Sequence, residues 1–314
     1  MHILTTRTAR LLSGMGLLAT VACLPVLGEA ARIVALKSAD VDVYNEALEG
    51  FKSVAHHSLI AEYDMAGDLQ RGREFLARLK AGPRPNLIFA IGIWALQVVV
   101  EEVRDIPVVF AMVLNPSIAI GQEARNITGA SMNVPVEQQI ALLRQVSPQV
   151  RRIGVLYDPS KTGSLVRQAE RIAHQQGIRL VAKAIASSKD AIAALNAIQG
   201  EIDALWILPD LTVLAPESVQ YMLLVSFRKK LPLLGLSENQ ARMGALLGLS
   251  FESGRDIGVQ AGELANEVLS GRSAEEIPFT TARRLRLTVN LKTAAKLGLQ
   301  IPKEVIDRAD LVIR

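Results

Sequence analysis

The sequence predicts an α/β fold of two doubly wound parallel-sheet lobes joined by a hinge. Three observations carry the prediction. Short apolar runs alternate with amphipathic helical stretches along most of the chain. The apolar runs lack polar alternation, as do strands buried on both faces of a parallel sheet. Finally, the strand–helix order is written twice: Arg32-Ile-Val-Ala-Leu-Lys-Ser38 opens one half, and Arg151-Arg-Ile-Gly-Val-Leu-Tyr-Asp158 opens another about 120 residues later.

Taken in chain order, residues 1–30 form a secretory signal. Arg7 and Arg10 make a basic start, an apolar run follows over 11–26, and the small residues Gly28 and Ala30 precede a cut after Ala30. Thr20-Val-Ala-Cys23 offers a rival, lipoprotein processing at Cys23, although Thr20 stands where an aliphatic residue is usual. A membrane span needs about 20 predominantly apolar residues, and Ser13, Gly14, Gly16, Thr20 and Pro25 interrupt this run. Cys23 is the sole cysteine, so a chain cut after Ala30 holds no disulfide.

Lobe 1 is expected from residues 31–130, with strands at 33–36, 58–63, 87–91 and 108–113 and a further strand at 127–132. Helices at 43–55, 69–80 and 93–103 separate the first four. Lobe 2 is expected from 131–245, with strands at 153–157, 180–185, 204–208 and 233–236 and helices at 136–146, 165–176, 191–198 and 218–230. Residues 246–314, including a helix at 254–269, cross back and complete both lobes. The halves match in detail. Asn86-Leu-Ile-Phe-Ala-Ile-Gly92 answers to Asp203-Ala-Leu-Trp-Ile-Leu-Pro-Asp210, and Pro107-Val-Val-Phe-Ala-Met-Val113 to Pro232-Leu-Leu-Gly-Leu236.

Composition narrows the function classes. Half of the residues are hydrophobic and 21% are charged, a globular balance. The formal charge of +4 falls to +3 once Arg7, Arg10 and Glu29 leave with the signal. The basic residues are dispersed, and the densest stretch, Arg283-Arg-Leu-Arg286, is too short to track phosphates, so no nucleic-acid partner is expected.

In a doubly wound sheet the ligand sits beyond the carboxyl ends of the strands. Here those ends carry Ser38, Asn115, Asp210 and Ser237, which offer directional hydrogen bonds, and Gly92, which suits a sharp turn. Ile93 and Trp94 follow, the indole being a candidate wall for a planar ligand. Tyr44 reaches from the first helix, and Phe251 stands where the chain passes between lobes. A helix cap accounts for Ser or Asp at a strand end as readily as a ligand does. Trp206, mid-strand between Leu205 and Ile207, is expected in the core.

Four segments resemble one family: Ile106-Pro-Val-Val-Phe-Ala-Met-Val-Leu-Asn-Pro116, Asn126-Ile-Thr-Gly-Ala-Ser131, Ile153-Gly-Val-Leu-Tyr-Asp-Pro159, and a tail from Leu287-Thr-Val-Asn-Leu-Lys through Pro302 to Arg308-Ala-Asp310. They are similar to the tryptophan/tyrosine-binding group of exported ABC-transporter solute-binding proteins, which have the type I periplasmic-binding fold. The resemblance covers the chain from about Arg32 to Arg314. It implies a periplasmic protein that captures a small solute, often an aromatic or other amino acid, and delivers it to a membrane permease. The two matched halves predict hinge closure, and since capture needs only one chain a monomer is expected. Asp210 and Ser164 stand at positions resembling the second lobe's contacts. Two positions depart from the pattern. Gly92-Ile93-Trp94 replaces the usual Gly-Thr, and Asn115-Pro116 replaces Asp-Pro, exchanging a carboxylate for a neutral amide that makes a hydrogen bond roughly half as strong.

Catalysis finds little support. His56-His57 lacks further metal ligands nearby, no Gly-x-Ser-x-Gly elbow is present, and Glu137, Glu201 and Asp203 show no partner that would tune them. No catalytic residue, metal or cofactor is therefore expected. A periplasmic sensor subunit serving a receptor or kinase, and an exported α/β enzyme, stay open as alternatives.

Overall fold

The computed structural model describes residues 31–121 and 125–314; the expected signal peptide and Cys23 lie outside the described residues. The first sheet is parallel and contains β1 (Arg32–Lys37), β2 (Ser58–Asp64), β3 (Leu87–Ile91), β4 (Val108–Val113) and β5 (Ile127–Ser131), in the order β2-β1-β3-β4-β5. The second contains β6 (Arg152–Tyr157), β7 (Arg179–Ala184), β8 (Ala204–Trp206), β9 (Leu233–Gly235) and β10 (Leu247–Phe251) in the matching order β7-β6-β8-β9-β10. Antiparallel β11 (Leu285–Asn290) and then β12 (Leu311–Ile313) extend the second sheet beyond β10. The two-lobed α/β architecture expected from the repeated pattern is the one observed.

Alternating side chains explain the layers. In the first sheet Ile33, Ala35 and Phe89 face α1 (Asp42–Val54) and α10 (Gly254–Leu269), while Leu36, Ile88 and Phe110 face the side of α2 (Leu69–Ala81) and α3 (Ile93–Glu102). In the second, α5 (Val136–Val146) and α6 (Pro159–Gln175) cover one face, and α7 (Ala191–Ile198) and α8 (Pro216–Lys229) the other. α4 (Pro116–Ile120) is a single turn after β4. Strands β2 and β7 depart from the expectation of burial on both faces. They are sheet edges, and their residues are half-buried or exposed.

The repeat extends to individual hydrogen bonds. Asn86 accepts from the Arg32 amide at the start of β1, and Asp203 accepts from the Arg151 and Arg152 amides at the start of β6. Pro107 and Pro232 each supply a carbonyl, to Ile88 N–H and Leu205 N–H respectively. Asp203 thus has partners that the sequence did not reveal, the Arg152 guanidinium among them at 2.7 Å. Burial pushes its carboxyl up, but Arg152 and the two amides outweigh that and hold it below the ordinary value.

Three segments connect the lobes. Residues 132–135 run from β5 into α5, 252–253 run from β10 into α10, and 280–284 return to β11. The third is fastened to the first lobe, because Ser131 N–H donates to Thr280 O and Thr280 N–H to Gly129 O. The second and third are fastened to each other by Glu252 N–H donating to Arg284 O. Chain from beyond residue 246 therefore completes both sheets' packing, with α10 against α1 and β10–β12 on the second sheet. In the tail, Asn290 caps α11 (Leu291–Leu297) through Thr293 N–H, and Asp310, which precedes β12, accepts Leu287 N–H at 2.7 Å. Those side chains are structural. No helix among the described residues is long and apolar enough to cross a membrane.

Candidate functional site

The carboxyl ends of both sheets face a cleft crossed at its base by the three connections. On the first lobe, Gly92 leaves β3 with φ +87°, a conformation that favours glycine. A Cβ there would lie 2.6 Å from Ser38 Oγ and 2.7 Å from the Tyr44 hydroxyl, so the position is closed to side chains on steric grounds as well. Ser38 is buried. Its hydroxyl donates to Ile91 O and accepts from Ala95 N–H, both at 2.9 Å, which caps α3 from a neighbouring strand. Tyr44 is half-buried in the first turn of α1, and its hydroxyl makes no hydrogen bond among the described residues. Burial pushes its phenol pKa up, keeping it a neutral donor.

Ile93 and Trp94 open α3 and remain exposed at 39% and 44%. The indole packs over Gly67, in the turn after β2, which sets it on the side of the cleft away from the connections. At the β1 end, Lys37 donates to Asn45 Oδ1 at 2.6 Å and to Asp40 at 3.1 Å, a closed set of partners. Asn45 and then Lys37 hold the Asp40 carboxyl below its ordinary value.

On the second lobe the sequence-predicted residues form a brace. Asp210 is buried; one carboxylate oxygen accepts Asp158 N–H at 2.7 Å and the Thr162 hydroxyl, and the other accepts Thr212 N–H at 2.9 Å. It ties β8 to the start of α6. Asp158 caps α6 through Ser160 N–H and accepts from Thr212 Oγ1 at 2.9 Å, while Lys161 donates to that same Thr212 oxygen at 2.6 Å. Between these fixed groups Leu211 stands 80% exposed. Ser164 lies on the exposed surface of α6; that helix begins at Pro159, earlier than the expected 165, because Asp158 and Pro159 supply an N-cap and a favoured first residue. Ser237 caps α9 (Glu238–Met243) through Gln240 N–H.

At the cleft floor the lobes touch. Asn115, in the left-handed conformation with φ +48°, receives a side-chain acceptor from Asn133 at its amide and donates Nδ2 to Pro209 O at 3.0 Å. Behind this contact lies a cavity of about 110 Å3, to which Leu114, Leu249 and Phe251 contribute. Gln139 borders it, with its oxygen accepting the buried Trp206 indole N–H at 2.7 Å and its nitrogen donating to Val134 O. Trp206 is in the core, as expected.

Residues 48–313 match the family model described as ABC transporter substrate binding protein. The chain belongs to that family. This substrate-binding protein is 27% identical over 226 residues to a tyrosine-binding protein of Clostridioides difficile (strain R20291), an alignment covering 69% of this chain and 64% of the relative, under two thirds of its length. The fold is shared with a ligand-free, open substrate-binding protein with adhesive properties from Clostridium difficile, with 22% identity, TM-score 0.70, 90% of this chain and 99% of the other. It is also shared with an ABC domain in complex with L-Trp from Streptococcus pneumonia, with 22% identity, TM-score 0.62, 91% and 100%.

Within this substrate-binding protein, the structure brings Tyr44, Gly92, Ile93, Trp94, Asn115 and Phe251 to the cleft surface or its floor. Ser38, Asp210 and Ser237 have their hydroxyl or carboxylate groups engaged within the protein. Sequence reasoning picked out Phe251 but missed Leu211 and Leu114, and with them Met132, Leu165, Leu236 and Leu249 of the floor cavity. They are apolar side chains beside turn residues and carry no polar signature. Among the described residues no group of three or more His, Cys, Asp or Glu is placed to hold a metal ion.

Proposed function

We propose that the protein is the solute-capturing component of an ABC importer, working as a periplasmic monomer after removal of residues 1–30. Its solute is an amino acid or a related small molecule. The observation that carries this reading is the set of exposed apolar side chains at the strand ends: Ile93, Trp94 and Leu114 on one lobe and Leu211 on the other. Apolar surface left open at a hinged cleft is surface that a ligand and the opposing lobe can cover, at roughly 25 cal/mol per Å2 buried. The tyrosine-binding relative supports the amino-acid class. Binding to one lobe and closure of the other follow as a shift between open and closed states, set by the ligand's greater affinity for the closed one. A membrane permease then takes the solute from the closed form.

Native mass spectrometry of the purified protein, followed by thermal-shift screening against amino acids, aromatic acids, nucleosides and small amines, tests the reading. A co-purified solute, or a compound that raises the melting temperature with the logarithm of its concentration, is the expected result. An empty cleft with no responding compound would sink it, and chemical conversion of a bound compound would replace it with catalysis.

A further inference from the structure

The cavity behind the Asn115–Pro209 contact has a definite size and chemistry. Its volume is about 110 Å3. Leu114 and Met132 wall it from the first lobe and the first connection, and Leu165, Leu236, Leu249 and Phe251, the last residue of β10, from the second lobe. Of the polar side chains on its border, Gln139 is engaged with Trp206 and Val134 and the Asn133 side-chain oxygen with the Asn115 amide, while Ser250 also lines it. A guest entering this space meets mainly hydrocarbon.

We propose that this cavity is the specificity pocket of the cleft and that it selects a compact branched aliphatic group over an aromatic ring. The inference rests on solute capture in the cleft. Two physical arguments carry it. An enclosed apolar cavity of about 150 Å3 accommodates benzene, and this partly open pocket, at about 110 Å3, gives room for a branched four-carbon group. A phenol O–H or indole N–H placed against the Leu114, Met132, Leu165, Leu236 and Leu249 walls would be buried without a hydrogen-bond partner, which is costly. The Asn115–Pro209 hydrogen bond already joins the lobes at the floor, so the pocket's dimensions are set before the outer parts of the lobes close. Trp94 stands on the far side of the cleft, above Gly67, and takes no part in this selection.

The experiment is calorimetric titration of the whole mature protein with leucine, 4-methylpentanoate, phenylalanine, tyrosine and tryptophan, repeated on Leu165→Phe and Phe251→Ala. Leu165→Phe fills the pocket, whereas Phe251→Ala removes a wall. In the unsubstituted protein, leucine or 4-methylpentanoate should bind at least about tenfold tighter than any aromatic compound, the discrimination an apolar pocket achieves for a poorly fitting group. Leu165→Phe should weaken the aliphatic ligand by about tenfold at an unchanged melting temperature of the free protein. Phe251→Ala should shrink or reverse the preference; should that variant fail to fold, Leu165→Phe carries the test. Equal or tighter aromatic binding, or aliphatic binding indifferent to Leu165→Phe, overturns the pocket and leaves solute capture standing. Binding of 4-methylpentanoate without any amino acid keeps the pocket and removes the amino-acid class. No binding by any of the five removes both.

Discussion

The Asn115 side-chain amide donates to the Pro209 carbonyl at 3.0 Å, joining the end of β4 in one lobe to the end of β8 in the other. A neutral hydrogen bond of this kind contributes about 1 kcal/mol net, or about fivefold in an equilibrium constant. Asn115→Ala should therefore shift the ligand-free protein about fivefold toward wider lobe separation. Asn115→Asp should shift it further, because a carboxylate facing a carbonyl oxygen repels it. Spin labels at Ala77→Cys on α2 and Lys189→Cys in the second lobe read the separation. An unchanged distance distribution in both variants would mean that the contact does not hold the floor together.

The brace at the second lobe's strand ends gives a pH dependence whose sign follows from Asp158. Hydrogen bonds from the Ser160 and Thr212 side chains outweigh the burial penalty and, with the Ser160 amide and Lys161, hold its carboxyl below the ordinary value of 3.8. A carboxyl depressed on folding stabilises the native state above its unfolded pKa, and that contribution is lost as pH falls through 3.8 toward the folded value. Asp40, Glu101 and Asp203 are also lowered and add to the same slope. Urea midpoints at pH 6, 4 and 3 should fall more steeply for the unsubstituted protein than for Asp158→Asn. Parallel lines would show that the brace does not depend on the Asp158 charge.

Much of the fold was legible because two signals reinforced each other. Buried parallel strands must be continuously apolar, and the repeat supplied the same order twice. Legibility fell where a residue's role depends on distant partners. Asp210 at a strand end is the same letter whether it holds a ligand or holds Asp158 N–H and Thr162. The helix start at Pro159 carried its own local signature, an Asp followed by Pro. The floor cavity was invisible for another reason: its walls come from seven separated stretches of chain, and none of those stretches is unusual alone.

The α1–α10 pair that fastens the returning chain to the first lobe makes a sharper case. Gly254, Gly258 and Gly262 recur every four residues along α10, and a Cβ on Gly258 would lie 1.9 Å from the Ala47 carbonyl oxygen of α1. Both groups belong to backbones, so the helices must separate to admit a methyl. Gly258→Ala should cost about 2–3 kcal/mol, in the range of an overpacked core. Gly200, with no atom within 4 Å of the position a methyl would take and a negative φ, is the control. Gly200→Ala should change stability by less than about 0.5 kcal/mol. Equal denaturant midpoints for the two variants would mean that α10 is free to move away from α1.

The two tryptophans divide the optical signal between the lobes. Trp206 is 1% exposed and its indole N–H is held by Gln139, so it is out of water before ligand binds. Trp94 is 44% exposed on the cleft face, and closure of the second lobe removes water from it. Emission should shift to shorter wavelength on ligand addition, because an indole leaving water loses solvent relaxation of its excited state. Trp94→Phe should abolish the shift, with the Trp206 band persisting. If binding measured by calorimetry leaves the emission of the unsubstituted protein unmoved, then Trp94 stays in water with the ligand in place. In that case the lobes close over the floor of the cleft without covering its β2 side.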